Sequence, residues 1–301
     1  MQNHKTRVAI IGASGWIGRH LAMSLQSAGC EVIGVGRSQP DALAQGVACW
    51  QSMAALDLCG VQAVVNLAGE RIDRRWTSRN RDLFRESRIG VTERLVAHLA
   101  GLPEGLRPGV LVNASAVGIY GNCGDRELDE TSPVGHGYLA ELCRDWERSA
   151  QMAGEIGIRV STARIGVVLG RGGPAFETLR RVFMCGFGGR LGNGRQWMPW
   201  IHMEDLVAAL TLLATGDIAA GPVNLVSPEP VTNRDFTKRF AAACERPAMF
   251  PVPAPMLHLA LGGFASALLS SQRVLPGVLL RQQFHFRYPG LDEALAELLG
   301  G

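Results

Sequence analysis

Three observations predict an α/β fold built on a doubly wound parallel sheet. An apolar run enters a glycine-spaced turn at residues 8–18, short apolar runs alternate with helical patterns, and the texture changes after about residue 165. The run Val8-Ala-Ile-Ile11 suits a strand buried on both faces, and the first strand is placed at 7–11. Gly12, Gly15 and Gly18 follow, and Ile17, Leu21 and Leu25 then recur at helical spacing up to Gly29. Further strands are predicted at 31–36, 62–67, 110–115, 159–163 and 222–226. Helices are predicted at 16–28, 78–100, 135–154, 174–184, 203–215, 233–245, 256–270 and 291–299. Beyond residue 165 the loops Gly170-Arg-Gly-Gly173, Gly186-Phe-Gly-Gly189 and Gly192-Asn-Gly194, and the stiff connector Phe250–Pro255, predict a smaller C-terminal substrate lobe. The expected division is 1–165 as the sheet domain, with 203–226 returning to the sheet, and 166–301 mostly as the lobe. A last strand is expected at 284–288.

A strand, a glycine turn and a helix in that order make a dinucleotide-binding Rossmann turn. Gly12 permits the tight turn, Gly15 admits a pyrophosphate close to backbone, and Gly18 lets the helix pack on the strand. Helix-start amides and the helix dipole favour the anion. Gly12, Ser14, Gly15, Trp16, Ile17 and Gly18 are therefore candidate cofactor ligands. The second strand ends Gly36-Arg37-Ser38, with no acid to accept from a ribose 2′-hydroxyl. The planar guanidinium of Arg37 suits a 2′-phosphate, so NADP is expected over NAD. The third strand runs into Leu67, Ala68 and Gly69, small enough for adenosine and ribose to pack against backbone.

The 301 residues are 47% hydrophobic and 19% charged, which supplies a sizeable core. The longest apolar stretch, 256–269, is broken by His258, two glycines and Ser266, so no membrane span is expected. Seven scattered cysteines without a Cys-x-x-Cys pair fit reduced thiols, and no apolar leader precedes the first strand, so a cytoplasmic location is expected. No metal-ligand cluster stands out. Residues 70–94 hold eight Arg against five acids, an excess equal to the net +3 of the whole chain. Most of these arginines read as a solvated, salt-bridged helix face, and a few as facing an anionic ligand. Interleaved acids and the lack of an aromatic platform argue against nucleic acid. A small-molecule substrate is the expected partner, and a homodimer is left open.

The fourth strand ends Val112-Asn-Ala-Ser-Ala-Val-Gly-Ile-Tyr-Gly121, and Tyr138 opens the next helix. With Asn66-Leu-Ala-Gly-Glu70, Arg74-Arg-Trp-Thr77, Ser87-Arg88, Cys143-Arg-Asp-Trp-Glu147, Gly166-Val-Val-Leu-Gly170 and Pro199-Trp-Ile-His-Met-Glu-Asp-Leu206, the chain resembles the extended short-chain dehydrogenase/reductases. It is most similar to their atypical, epimerase-like branch, with a C-terminal domain of unknown function. The resemblance covers essentially the whole chain. It implies a Ser, a Tyr and a Lys four residues after that Tyr, acting in general acid/base catalysis. Ser115 takes the Ser role, with Ala116 competing for the slot, and Tyr138 takes the Tyr role. The Lys is missing: Leu142 stands there, on an apolar seam. Tyr120 is a second phenol candidate, otherwise a turn aromatic over the crevice. Arg88 matches an arginine that lies against the cofactor in the related branch.

In the lobe, Arg190 and Arg195 match a loop that holds a substrate diphosphate in nucleotide-sugar enzymes. His202 reads either as a substrate contact or as a structural residue at the join between sheet and lobe. The expected function is an NADP-dependent oxidoreductase moving hydride to or from a small carbonyl or carbinol substrate. The alternatives are a sugar-nucleotide epimerase or dehydratase and a non-catalytic NADP(H)-binding redox sensor or interaction module.

Overall fold

The computed structural model describes residues 5–37 and 43–300. Seven strands make one parallel sheet: β1 (Arg7–Ile11), β2 (Glu31–Gly36), β3 (Cys49–Ser52), β4 (Ala63–Asn66), β5 (Val110–Ala116), β6 (Arg159–Ile165) and β7 (Gly221–Leu225). Their order is β7-β6-β5-β4-β1-β2-β3. The chain leaves β1 in one direction and returns beside it with β4, so the topological switch lies between those two strands. That is where an open parallel sheet opens a ligand crevice. Ile11 is in register with both Val35 and Asn66, and Asn66 with Asn113, so the C-terminal ends of β1, β2, β4 and β5 stand level.

Alternation along the strands feeds two cores. Val8 and Ile10 of β1 pack with Leu21 and Leu25 of α1 (Trp16–Ser27), and with Leu206, Leu210 and Leu213 of the helix Met203–Thr215. Ala9 and Ile11 face the other way, toward Leu95 and Leu99. Those two residues lie on the second helix of the region read as one helix at 78–100. Here α2 (Ser78–Arg85) and α3 (Val91–Gly101) are joined by one wider π-turn, Glu86–Gly90. Next comes α4 (Tyr138–Gln151); α5 (Pro174–Met184) and α7 (Asn233–Ala243) belong to the lobe, and α6 (Met203–Thr215) between them returns to the sheet. The predicted helix 256–270 is split at Gly262 into α8 (Ala254–Leu261) and α9 (Phe264–Leu269), and α10 (Leu291–Leu299) closes the chain. The lobe has its own core, in which Phe176, Phe183, Trp200, Phe236, Phe240 and Leu295 pack together.

Two expectations are corrected. β3 escaped the sequence reading because Cys-Trp-Gln-Ser shows no apolar alternation. It is an edge strand whose Trp50 covers Gly34 and Gly36 of β2, and a Cβ on Gly34 would fall 2.6 Å from that ring. The strand expected at 284–288 does not form. The backbone N–H groups of Arg287 and Tyr288 donate instead to the buried carboxylate of Asp205, at 2.7 and 3.0 Å, which removes them from any ladder.

Candidate functional site

The crevice floor is the turn between β1 and α1. Gly12 has φ +84°, in the left-handed region, and a Cβ there would sit 3.2 Å from the Leu67 carbonyl carbon. A Cβ on Gly18 would overlap the Gly12 oxygen and lie 2.8 Å from Ala13 Cα, so only glycine lets α1 pack this closely. Gly15 is the N-cap of α1. It supplies no side chain to cap the helix, and the first turn carries no acid. The leading amides of α1 therefore face the crevice as anion donors without an internal partner. Trp16 turns away: its indole donates to the Arg171 carbonyl at 3.2 Å and packs on Gly170 and Gly173, which tethers the turn to the lobe.

The β4 wall is held by buried amides. Asn66 donates to Asn113 Oδ1 at 2.7 Å and to Thr92 Oγ1 at 2.9 Å, and it accepts from the Ala68 N–H at 3.2 Å. Leu67, Ala68 and Gly69 are positioned by this ladder. Beyond them Glu70 stands between two guanidinium groups, Arg37 at 3.5 Å and Arg74 at 3.9 Å. The Arg37 side chain is 91% exposed at the end of β2. Its neighbour Ser38 lies outside the described residues.

Arg88 sits on the π-turn. A π-turn re-aims a side chain relative to a regular helix, and here the guanidinium of Arg88 packs against Gly69 and 5.3 Å from the centre of the Trp146 ring. It donates to the Glu70 carbonyl at 3.0 Å, and burial pulls its pKa below the ordinary arginine value. Most other arginines of 70–94 are used at the surface, as in the Arg85–Asp145 pair at 3.0 Å and the Arg94–Glu86 pair at 2.6 Å.

Of the three catalytic candidates, Ser115 and Tyr120 are brought into one buried network, and Tyr138 makes no hydrogen bond to it. Ser115 is buried and donates to Glu147 Oε1 at 2.6 Å. Glu147 in turn holds Arg164, with Nε and Nη2 each 2.9 Å from a carboxylate oxygen. Tyr120 is 1% exposed rather than over the crevice. Its hydroxyl accepts from Arg164 Nη1 at 3.0 Å and lies between Asn224 Oδ1 and the Asp129 carbonyl, to one of which it donates. Burial raises its pKa, which keeps it a protonated structural phenol. Tyr138 is half-buried at the start of α4, turned toward α2. Its ring lies 5.0 Å from Trp76 with the Arg81 guanidinium 4.7 Å above, and its hydroxyl is 3.5 Å from the Arg81 carbonyl. The neighbouring stripe of α4 faces the end of β5 instead: Leu139 packs on Gly118, and Glu147 takes Ser115. Leu142 is buried beside Phe84, Ile89 and Trp146.

The network missed from sequence is thus Ser115–Glu147–Arg164–Tyr120–Asn224. Burial works against the Arg164 charge, but the paired carboxylate outweighs it and holds the pKa above the ordinary arginine value. The sequence singles out Ser115 and Tyr120 one by one and places Glu147 in a motif, but nothing in it joins them to Arg164, the second arginine of β6 (Arg159–Ile165). Desolvation pushes the adjacent buried thiol of Cys143 up to about 12, so it is inert. All seven cysteines are free thiols. Among the described residues no His/Cys/Asp/Glu group suits a metal, and no helix is long and apolar enough to cross a membrane.

In the lobe, Arg190 lines a groove with Arg234 of α7, and the Arg195 N–H donates to Asn193 Oδ1 at 2.9 Å. His202 caps α6. Nδ1 accepts from the Glu204 N–H at 3.3 Å, so Nε2 carries the proton and donates to Glu297 at 3.2 Å, with the Tyr288 ring 4.0 Å away. The ring is 2% exposed, and the structural reading replaces the substrate contact. Burial lowers its pKa despite Glu297. Below the unfolded histidine pKa of about 6.5 the unfolded chain takes a proton that the folded chain refuses. Unfolding free energy is therefore expected to be full above that pH and to fall below it, with a flatter profile in His202→Asn. Denaturant titrations at stepped pH check this, and an unchanged slope in the variant would remove His202 as the cause.

Residues 8–225 match the NAD dependent epimerase/dehydratase family, and residues 252–298 match a domain of unknown function, DUF1731. An epimerase family protein of Mycobacterium bovis is 42% identical over 293 residues, covering 96% of both chains. The structure of the human epimerase family protein SDR39U1 with NADPH superposes with TM-score 0.89 at 34% identity, covering 98% of this chain and 99% of that one. A nucleoside-diphosphate sugar epimerase from Corynebacterium glutamicum superposes with TM-score 0.79 at 33% identity, covering 98% of this chain and 58% of that one. With its seven-stranded parallel sheet, its glycine turn at the switch point and this match across most of its length, the chain belongs to the NAD dependent epimerase/dehydratase family.

Proposed function

We propose that the crevice holds NADP(H) and that the chain is an oxidoreductase acting on a small carbonyl or carbinol substrate. The observation that carries this reading is the uncapped, acid-free start of α1 beneath Gly12, level with the exposed Arg37. The leading amides of α1, from Trp16 to Gly18, would bind the diphosphate, because the Gly15 N–H is taken by the Gly12 carbonyl at 3.0 Å, and Arg37 with Arg74 would take the 2′-phosphate in place of Glu70. Leu67, Ala68 and Gly69 would bed the ribose, and Arg88 lies against them. The human relative whose structure carries NADPH supports the choice of NADP. The cofactor, when bound, supplies the hydride donor or acceptor.

Tyr138 is the proton-carrying candidate. Burial raises its pKa, and the nearby Arg81, Arg88 and Arg85 offset this only in part. The phenol stays protonated at neutral pH, which suits an acid donating to a carbonyl oxygen during reduction rather than a base driving oxidation. Turnover of an aldehyde, ketone and quinone panel with NADPH is expected to be flat through neutral pH and to fall only above the ordinary tyrosine pKa of about 10. Tyr138→Phe is expected to lower kcat about 100-fold while leaving NADPH affinity within about twofold. Unchanged kcat in that variant would remove Tyr138 from the chemistry.

One observation favours a second reading, NADP(H) binding without turnover: Ser115 is taken up by Glu147, and no lysine stands where the resemblance calls for one. Saturable NADPH binding with no turnover across the panel would select it. The epimerase alternative, supported by the names of the relatives, is selected by cofactor that co-purifies and by substrate interconversion without net redox change.

A further inference from the structure

We propose that the helical pair α8–α9 is a hinged lid beside Tyr138, and that Arg75 and Trp76 form the latch that holds it shut and ties it to the cofactor loop. The lid's part in turnover rests on the reading of Tyr138 as the proton donor; its motion does not.

Both ends of the segment are pinned. At the entry, Val252 N–H donates to the Arg190 carbonyl at 2.9 Å, and the Val252 carbonyl accepts from Gly192 N–H at 2.8 Å. At the exit, Ser271 N–H donates to Asn122 Oδ1 at 3.0 Å, its hydroxyl donates to the Gly124 carbonyl at 2.6 Å, and Gln272 donates to the Gly121 carbonyl at 2.9 Å. Residues 254–269 between these anchors bury little. Leu257 is the one buried residue of α8 and Ala265 that of α9, whereas Met256 is 60% and Leu259 79% exposed. Pro251, Pro253 and Pro255 stiffen the entry, and Gly262, at φ +60°, bends the pair in the middle. A segment with so few buried apolar contacts opens locally at a fraction of the cost of unfolding the chain.

Among the described residues, two hydrogen bonds reach this segment from the rest of the chain. Gln196 meets the Leu268 carbonyl at 3.4 Å, close to the pinned exit, and Arg75 Nη2 donates to the Leu259 carbonyl at 2.6 Å, at the free end. Trp76 adds the packing there. Its indole is fixed by donation to the Ile72 carbonyl at 3.0 Å, its ring lies 6.5 Å from that of Phe264, and a Cβ on Gly263 would fall 2.7 Å from it. The Tyr138 ring lies 5.0 Å from the same indole, so Phe264, Trp76 and Tyr138 form one aromatic row from lid to phenol. The loop that carries the latch begins at Glu70 and Arg74, the two residues that flank Arg37 where the 2′-phosphate would sit. A cofactor bound there would order residues 70–77 and thereby hold the latch more firmly.

The test is amide hydrogen exchange of the full chain, followed by mass spectrometry. In the free wild-type chain, 254–269 is expected to exchange faster than α1. In Arg75→Ala/Trp76→Ala it is expected to exchange about tenfold faster again, with α1 and 270–274 unchanged. Trp76→Phe keeps a ring against Gly263 and is expected to retain most of the protection. Saturating NADPH is expected to slow exchange of 254–269 several-fold in the wild type and to have little effect on it in the double variant. Exchange of 254–269 as slow as that of α1, no change in the double variant, or a rise spread over the whole chain in both Arg75→Ala/Trp76→Ala and Trp76→Phe would overturn the proposal. So would NADPH that binds in a fluorescence titration and leaves the lid unaffected. A chain that binds no NADPH would fail the cofactor reading instead, and the exchange of the free chain would still decide the lid.

Discussion

Glu147→Ala is expected to lower the unfolding free energy by about 3–5 kcal/mol. The carboxylate neutralises Arg164, whose side chain is 7% exposed, through two 2.9 Å hydrogen bonds. It also accepts the Ser115 proton at 2.6 Å. Removing it leaves a guanidinium buried without a counter-charge beside the Tyr120 hydroxyl, and leaves Ser115 unpaired. Glu147→Gln keeps one acceptor and is expected to lose less. Glu147→Leu/Arg164→Met removes both charges and is expected to recover most of the loss, because desolvating an ion pair offsets much of what it contributes. Denaturant unfolding of the three variants separates these cases. A loss below about 1 kcal/mol in Glu147→Ala would show that solvent reaches the pair and that it does not organise the end of β5.

Gly15→Asp is expected to leave the fold intact and to weaken NADPH binding roughly 100-fold, equivalent to about 2.7 kcal/mol. Gly15 has φ −69° and ψ 164°, an extended conformation open to any residue. Aspartate is among the best N-caps, so it would satisfy α1 amides that glycine leaves unpaired. Its Cβ would sit 3.1 Å from the Gly12 oxygen, a tight fit that offsets part of the capping gain. The same carboxylate would occupy the position proposed for the diphosphate and repel it. Tm and NADPH affinity therefore move independently. Retained affinity in a folded Gly15→Asp chain would place the cofactor elsewhere.

The dinucleotide half of the molecule was legible because its signals are local. An apolar run, glycines three apart and a helical seam lie within consecutive residues, and the turn forms as their spacing requires. The five inner strands were legible for the same reason, since burial on both faces forces continuous apolar runs. β3 was not, because an edge strand covered by one Trp50 needs no such run. Arg37 was readable as the last residue of a strand pattern. Glu70 and Arg74, which flank it, come from a different loop and left no periodic trace.

The catalytic assignments were harder because one residue of helical rotation decides which face of a helix a side chain occupies. Tyr138 and Leu142 lie on the α4 stripe that faces α2, and Leu139 and Glu147 lie on the stripe that faces β5. Sequence spacing locates a stripe but does not say what it meets. Ser115 stands in register with Arg164 on the next strand, a pairing between residues 49 apart that only the sheet order reveals. The predicted helix 203–215 already put His202 at a helix start, but its partner Glu297 comes from 95 residues further on, and only the fold shows that pairing.

The central claim is that the crevice at the sheet's switch point takes NADP(H), with Arg37 reading the 2′-phosphate. Nicotinamide fluorescence titrations of NADPH and NADH, run in parallel on the wild-type chain and on Arg37→Ala, test it most directly. The account predicts saturable NADPH binding at one site per chain, tighter than NADH. It also predicts roughly tenfold weaker NADPH binding in Arg37→Ala, with NADH unchanged. NADH binding as tight as NADPH, or no saturable binding of either, would contradict it.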